Sequence, residues 1–273
     1  MTNILLTVSY DGTDFCGWQR QDKSDAGMPV RTVQGEIEKA LQKMLGTSIK
    51  LYGSGRTDSG VHAAAQAANF ISPVDGIKRE NYLRALNGLL PPDIRIMDVV
   101  EKDMEFNSRF SATSRKYRYF IQCENYPFAD ESRYRWYIPR RPDILVLNDM
   151  ASCLRGEIDC ATFAASGDQS LSTMRYLENA FFYWKDEGKG LLVFEIQANA
   201  FLWKMVRSIT GTIIECEKKG YDGKYFREIL ESHDRSRALT TAPATGLFLW
   251  EIFYDGPVRH DRFQNISGRS TSC

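Results

Sequence analysis

Long apolar runs are missing from this sequence. No stretch approaches the roughly 20 residues that a membrane helix needs. Met1–Tyr10 also lacks the basic-then-apolar layout of a secretory signal, so a cytoplasmic location is the expectation. Histidine is scarce: His62, His233 and His260 are the only three, and they are far apart. Six cysteines, at 16, 123, 153, 160, 216 and 273, include no pair at CxxC spacing. In a chain without a signal they are expected as free thiols. With ligands so scattered, no metal site is expected. Net charge is absent as well, since 35 basic residues balance 35 acidic ones, which taken alone speaks against a nucleic-acid partner.

What is present fits a folded protein of two modest domains or one large one: 273 residues, 43% hydrophobic and 26% charged. The charge is unevenly spread. From Phe106 to Arg141 there are eight basic residues (Arg109, Arg115, Lys116, Arg118, Arg133, Arg135, Arg140, Arg141) against three acidic ones (Glu124, Asp130, Glu131). Tyrosines 117, 119, 126, 134 and 137 and Trp136 are interleaved with them. Basic groups hold phosphates and aromatics stack on bases. A solvated strand face with aromatic pairs has the same composition, so the segment leaves both readings open.

Hydrophobic periodicity gives the element order. Ile4–Tyr10 alternates and reads as a strand. Thr32 is placed to cap a helix whose stripe is Val33, Ile37, Ala40, Leu41 and Met44, ended by Gly46. Short strands are predicted at Ile49–Tyr52 and Gln66–Ile71, a helix around Tyr82–Leu90 stopped by Pro91-Pro92, and a strand at Ile94–Val100. This order, strand-helix-strand-strand-helix-strand, is that of a ferredoxin-like unit. The pattern restarts near Phe106 with a strand at Lys116–Cys123, a helix at Leu147–Leu154 and a strand pair at Tyr176–Trp184 and Gly190–Gln197. A regular helix follows, with Leu202, Met205, Val206, Ile209 and Ile213 on one face and Gly220 at its end. A short helix at Tyr225–Leu230 and a closing strand at Phe248–Tyr254 complete it. The expected fold is α+β: two ferredoxin-like halves, 1–105 and 106–259, sharing a mostly antiparallel central sheet with a cleft between them. Residues 260–273 are read as a polar tail.

The loop Gly53–Gly60 is the first candidate for chemistry. Its three glycines permit tight turns that display Arg56 and Asp58. It is not a phosphate loop, since Val61 and His62 stand where Lys and Ser/Thr are required, and its glycine spacing is not that of a dinucleotide fingerprint. A turn in which Arg56 and Asp58 pair with each other is the plain alternative.

Gly55-Arg56-Thr57-Asp58-Ser59-Gly60-Val61-His62-Ala63, followed by Gln66, resembles the catalytic motif of the tRNA pseudouridine synthase A family. Five further stretches agree in order: Tyr10–Thr13 with Gly17–Gln19, Thr32–Gly35, Arg109–Ala112 with Arg115–Tyr119, Asn199–Leu202 with Met205–Arg207, and Ala242–Ala244 with Gly246–Leu247. The resemblance implies an isomerase that acts on tRNA as a homodimer, at uridines 38, 39 and 40 of the anticodon arm, without a cofactor. It implies Asp58 as nucleophile and Arg207 as its ion-pair partner. Tyr117 would stack on the target base and assist proton transfer, and Arg56 would fill the space left by a flipped uridine. Arg109, Arg115, Lys116 and Arg118 are the further candidates for substrate contact, and His62 is expected to be structural. Lys204 departs from the family's usual histidine, Asp159–Phe163 matches only loosely, and the loop Gln21–Arg31 is long. Two rivals are a non-catalytic RNA-binding module and a small-molecule hydrolase using Asp58. The first leaves a carboxylate in a glycine loop unexplained. The second lacks an oxyanion motif or a nearby histidine partner.

Overall fold

The computed structural model describes residues 1–21 and 30–257. Most of the long loop 21–31 and the tail from 260 lie outside the described residues. The fold is α+β, built on one sheet of ten strands. In chain order the elements are β1 (Thr2–Tyr10), α1 (Val33–Leu45), β2 (Tyr52–Gly53), β3 (His62–Ser72), α2 (Arg79–Leu89) and β4 (Ile94–Lys102). Then come β5 (Ser114–Cys123), β6 (Trp136–Ile138), α3 (Ile144–Ala151), β7 (Gly156–Asp159), β8 (Met174–Asp186) and β9 (Leu191–Ala198). Helices α4 (Met205–Lys218) and α5 (Gly223–Glu231) and strand β10 (Leu247–Phe253) close the chain.

Local chemistry sets the element ends. Thr32 Oγ1 accepts the Gly35 N–H at the start of α1, and Gly46 ends that helix at φ 75°. The buried face of α1 is Val33, Ile37, Ala40 and Leu41, four of the five residues of the expected stripe. The apolar face of α4 is buried at Met205, Val206, Ile209 and Ile213. Two strands went unread in the sequence: β6 and β7 are only three and four residues long, too short for alternation to show. The strand expected at Ile49–Tyr52 shrinks to Tyr52–Gly53, because Ile49 and Leu51 are spent on the core and the chain turns away at Gly53.

The main path through the sheet is β4-β1-β3-β10-β5-β9-β8-β7, with β2 on β3 and β6 on β5. Two four-strand units with the same spatial order are embedded in it: β4-β1-β3-β2 and β10-β5-β9-β8. They meet on one edge of β3. There β2 pairs with Asn69 and Ala68, while β10 runs parallel to the other end at His62 and Ala63. The chain between β2 and β3 therefore emerges where the two units join. One large apolar core lies under the helices and runs through both units. A small cluster of Phe120, Leu191 and Val193 covers part of the opposite sheet face. None of the described helices is long and apolar enough to cross a membrane.

Candidate active site

The loop 54–61 is fixed by its neighbours before any ligand is considered. Ser54 Oγ donates to Gln66 Oε1 at 3.0 Å, and Gln66 Nε2 donates to the Gly55 carbonyl at 2.9 Å. Tyr10 Oη and Thr57 Oγ1 share a buried hydrogen bond of 2.7 Å. The Trp18 N–H donates to the Thr57 carbonyl and the Val61 N–H to the Asp58 carbonyl. Gly17, at φ +88°, packs tightly on the loop: a Cβ there would lie 2.5 Å from the Thr57 carbonyl oxygen. Only glycine combines that backbone with that contact.

From the other unit, α4 brings Arg207. The 240–242 segment lies so close to α4 that a Cβ on Gly211 would sit 1.9 Å from the Thr240 carbonyl oxygen. That packing puts the Ala242 carbonyl where it accepts Arg207 Nε at 2.8 Å, leaving the rest of the fork to reach outward. Arg207 Nη1 meets Asp58 Oδ2 at 3.1 Å, with side-chain exposures of 16% and 20%. The second carboxylate oxygen, Oδ1, accepts the indole N–H of Trp203 at 2.9 Å. Asp58 is thus held by two donors on two oxygens, both from the second unit. Arg56 takes no part: it is exposed and forms no ion pair among the described residues, so the internal Arg56–Asp58 turn is not what the chain forms.

Tyr117 lies on β5 with its ring buried and edge-on to Phe201, centroids 5.0 Å apart. Burial raises its phenol above the ordinary value; the Arg115 charge pulls it back and the Asp58 charge pushes it further up. Tyr119, two residues on, turns to the same face and donates to the Pro243 carbonyl at 2.7 Å, bracing the segment that orients Arg207. Among the described residues no group of three or more His, Cys, Asp or Glu side chains is arranged to hold a metal ion.

A family profile described as "tRNA pseudouridine synthase" matches residues 6–111 and 150–255. The chain is 55% identical over 252 residues to "tRNA pseudouridine synthase A" of Treponema denticola, covering 92% of each sequence. It is 49% identical to a Treponema pallidum protein of that name, over 85% of this chain and 81% of that one. For the Brachyspira hyodysenteriae protein the figures are 41%, 93% and 99%. The chain belongs to the tRNA pseudouridine synthase family. It is an isomerase that forms pseudouridine in tRNA. A solved archaeal box H/ACA sRNP Nop10–Cbf5 complex is similar at 10% identity and TM-score 0.32, over 88% of this chain and 58% of that one. That likeness is too slight to carry weight.

In this synthase the other expected substrate contacts divide sharply. Arg109 is exposed, with its guanidinium 5.8 Å from the ring centre of exposed Phe110. Arg115 is instead buried inside the fold. Its guanidinium donates to four carbonyls, of Ala112, Asn199, Ser54 and Arg109, and so ties the Asp58 loop to the approach to α4. Lys116 and Arg118 turn to the opposite sheet face from Tyr117, as strand alternation requires. There Lys116 pairs with Glu251 at 3.1 Å and Arg118 with Glu195 at 2.6 Å. All three, expected from the sequence as substrate contacts, are thus engaged within the fold. The rest of the basic surplus is also engaged: Arg133 with Asp11 and Asp14, Arg135 with Glu131, Arg140 with Glu217, and Arg141 with Glu124 and Glu187.

His62 is scaffold. The Gly12 N–H donates to its Nδ1 at 3.0 Å, so the ring proton sits on Nε2, 3.1 Å from the Arg133 carbonyl. Burial holds the imidazole below its ordinary value, against the pull of Asp11, which favours the neutral ring. The indole of Trp203 was missed as a site group. Trp203 precedes α4, in a turn, so helical spacing from Arg207 gave no signal for it.

Proposed function

We propose that Asp58 is the nucleophile with which this enzyme converts uridines of the tRNA anticodon arm, at positions 38 to 40, into pseudouridine. The observation that carries this is the two-donor grip on Asp58 beside the buried Tyr117 ring. The grip aims the carboxylate, which is what a nucleophile needs. Attack of Asp58 on the uridine forms an ester, and the bond between N1 and the ribose C1′ breaks. The uracil turns and rejoins C1′ through C5, and the ester bond to Asp58 breaks, which returns its carboxylate. The C5 proton leaves to solvent and N1 takes one up. Atoms balance and nothing is oxidised or reduced, so the chemistry calls for no cofactor.

Ester formation consumes the negative charge of Asp58. That removes the smaller of the two effects that raise the Tyr117 phenol; burial, the larger, and the opposing Arg115 charge remain. The covalent step itself thereby moves Tyr117 toward the state in which it can accept the C5 proton. Arg56 and Arg109, exposed beside the site loop and its neighbour Arg115, are the groups for the vacated stack and the RNA backbone. Homodimer formation, a cytoplasmic setting and the division near residue 105 belong to the same reading.

The test uses tRNA tritiated at uridine C5. The wild-type protein is expected to release tritium, and Asp58→Asn to release none while retaining its melting temperature and tRNA binding. Release by Asp58→Asn near the wild-type rate overturns the nucleophile. New pseudouridine mapped outside the anticodon arm overturns the position alone.

A further inference from the structure

Trp203 is 45% exposed, so burial of its ring does not account for its place. Its backbone is gripped from both sides by the segment 164–172. The Trp203 N–H donates to Asp168 Oδ2, and the Trp203 carbonyl accepts the Ala165 N–H at 3.0 Å. The other oxygen of Asp168 accepts the Ser170 N–H at 2.8 Å, which fixes the carboxylate itself. The next residue, Lys204, sits at φ 58°, a left-handed turn uncommon for a non-glycine side chain, with its ammonium 4.6 Å from the centre of the indole ring. These contacts hold the Trp203 backbone in place beside the site, and its indole N–H ends on Asp58 Oδ1 at 2.9 Å.

We infer that Trp203 is a positioning residue for the nucleophile, braced by Asp168, so that indole and guanidinium together fix the plane of the Asp58 carboxylate. One donor alone leaves a carboxylate free to swing about its last bond; two donors on different oxygens remove that freedom. Each oxygen keeps a second lone pair for attack. Since near-attack geometry is lost with small rotations, the brace acts on rate rather than affinity. The inference rests on Asp58 being the nucleophile, but the contact can be tested without it.

Trp203→Phe keeps a ring and removes the N–H. The expected result is a roughly ten-fold lower single-turnover rate with unchanged tRNA affinity. Trp203→His, which restores a ring donor, recovers part of the loss. Asp168→Ala is expected to reproduce the defect, and the double variant to be no worse than either single one. Independently of activity, the indole N–H resonance that disappears in Trp203→Phe should exchange slowly with solvent in the wild type and fast in Asp58→Ala. A wild-type rate in Trp203→Phe, a loss of affinity in place of rate, or equal exchange in both proteins overturns the inference. If Asp58→Asn retains turnover while the indole stays protected, the nucleophile reading fails and the contact stands.

Discussion

The two four-strand units share one spatial order and differ in how their second and third strands are joined. In the second unit β8 runs for 13 residues and reaches β9 through a tight turn at 187–190. In the first unit β2 has two residues, and the connection to β3 widens into the loop that carries Asp58. Shortening β2 frees one edge of β3, and β10 of the second unit takes it. The short β2 thus leaves room both for the Asp58 loop and for the neighbouring unit that supplies Arg207 and Tyr117. The position that closes a hairpin in one unit builds the site in the other.

The strongest way to break this comparison is at the cation. Arg207→Lys keeps the charge but loses the fork that joins the Ala242 carbonyl to Asp58, and is expected to lower turnover at least a hundred-fold. Arg207→Ala is expected to lose activity and also stability, by about 2 kcal/mol; a fully buried broken pair costs about 3–5, and here the carboxylate stays one-fifth exposed with one donor left. Thermal melts and tritium release check both. A silent Arg207→Lys would reduce the second unit to a scaffold.

Next comes a matched pair of glycines. Gly190, at φ +68°, lies in the second unit's turn, where a Cβ would sit 2.5 Å from the Cys123 carbonyl oxygen. Gly17 makes the same kind of contact against Thr57, beside Asp58. Each alanine replacement is expected to cost about 2 kcal/mol, or about 4–8 °C in melting temperature. Only Gly17→Ala is expected to lower turnover per folded molecule, because only that strain passes into the site loop. Equal kinetic effects would mean that the two connections are not functionally distinct.

The smallest effect concerns the seam. His62 on β3 stacks on Phe248 of β10, with centroids 4.6 Å apart. Its folded pKa is held below the unfolded value, so the unfolded chain binds the proton more readily. The contribution is full above about pH 6.5 and declines as pH falls below that toward the folded pKa. The melting temperature should fall from pH 7.5 to 5.5, and His62→Gln, which can still accept and donate, should flatten that slope. An unchanged slope in His62→Gln would place the titration elsewhere.

Element order was legible in the sequence because α1, α4, β1 and β5 bury one clear face each. So was the pairing of Asp58 with Arg207, although motif resemblance and not periodicity brought together residues so distant in sequence. Partners were not legible. The basic surplus between 106 and 141 gives no hint that the fold supplies it with Glu187 from a turn, Glu195 and Glu251 from strands and Glu217 from a helix. Arg115 and Lys116 are neighbours in sequence, yet strand alternation buries one among carbonyls and sends the other to the far face. Trp203 reads as one more apolar residue at a helix start, because a single indole hydrogen bond leaves no pattern.

The most direct measurement is to trap the ester. In tRNA carrying 5-fluorouridine the C5 position has no proton to lose, so the reaction stops at that step and an ester still in place is trapped. Proteolysis and mass spectrometry of the wild-type complex should find the nucleotide adduct on the peptide containing Gly55–Val61, at Asp58. An adduct on any other residue, or the same adduct formed by Asp58→Asn, would contradict the assignment of Asp58 as the nucleophile.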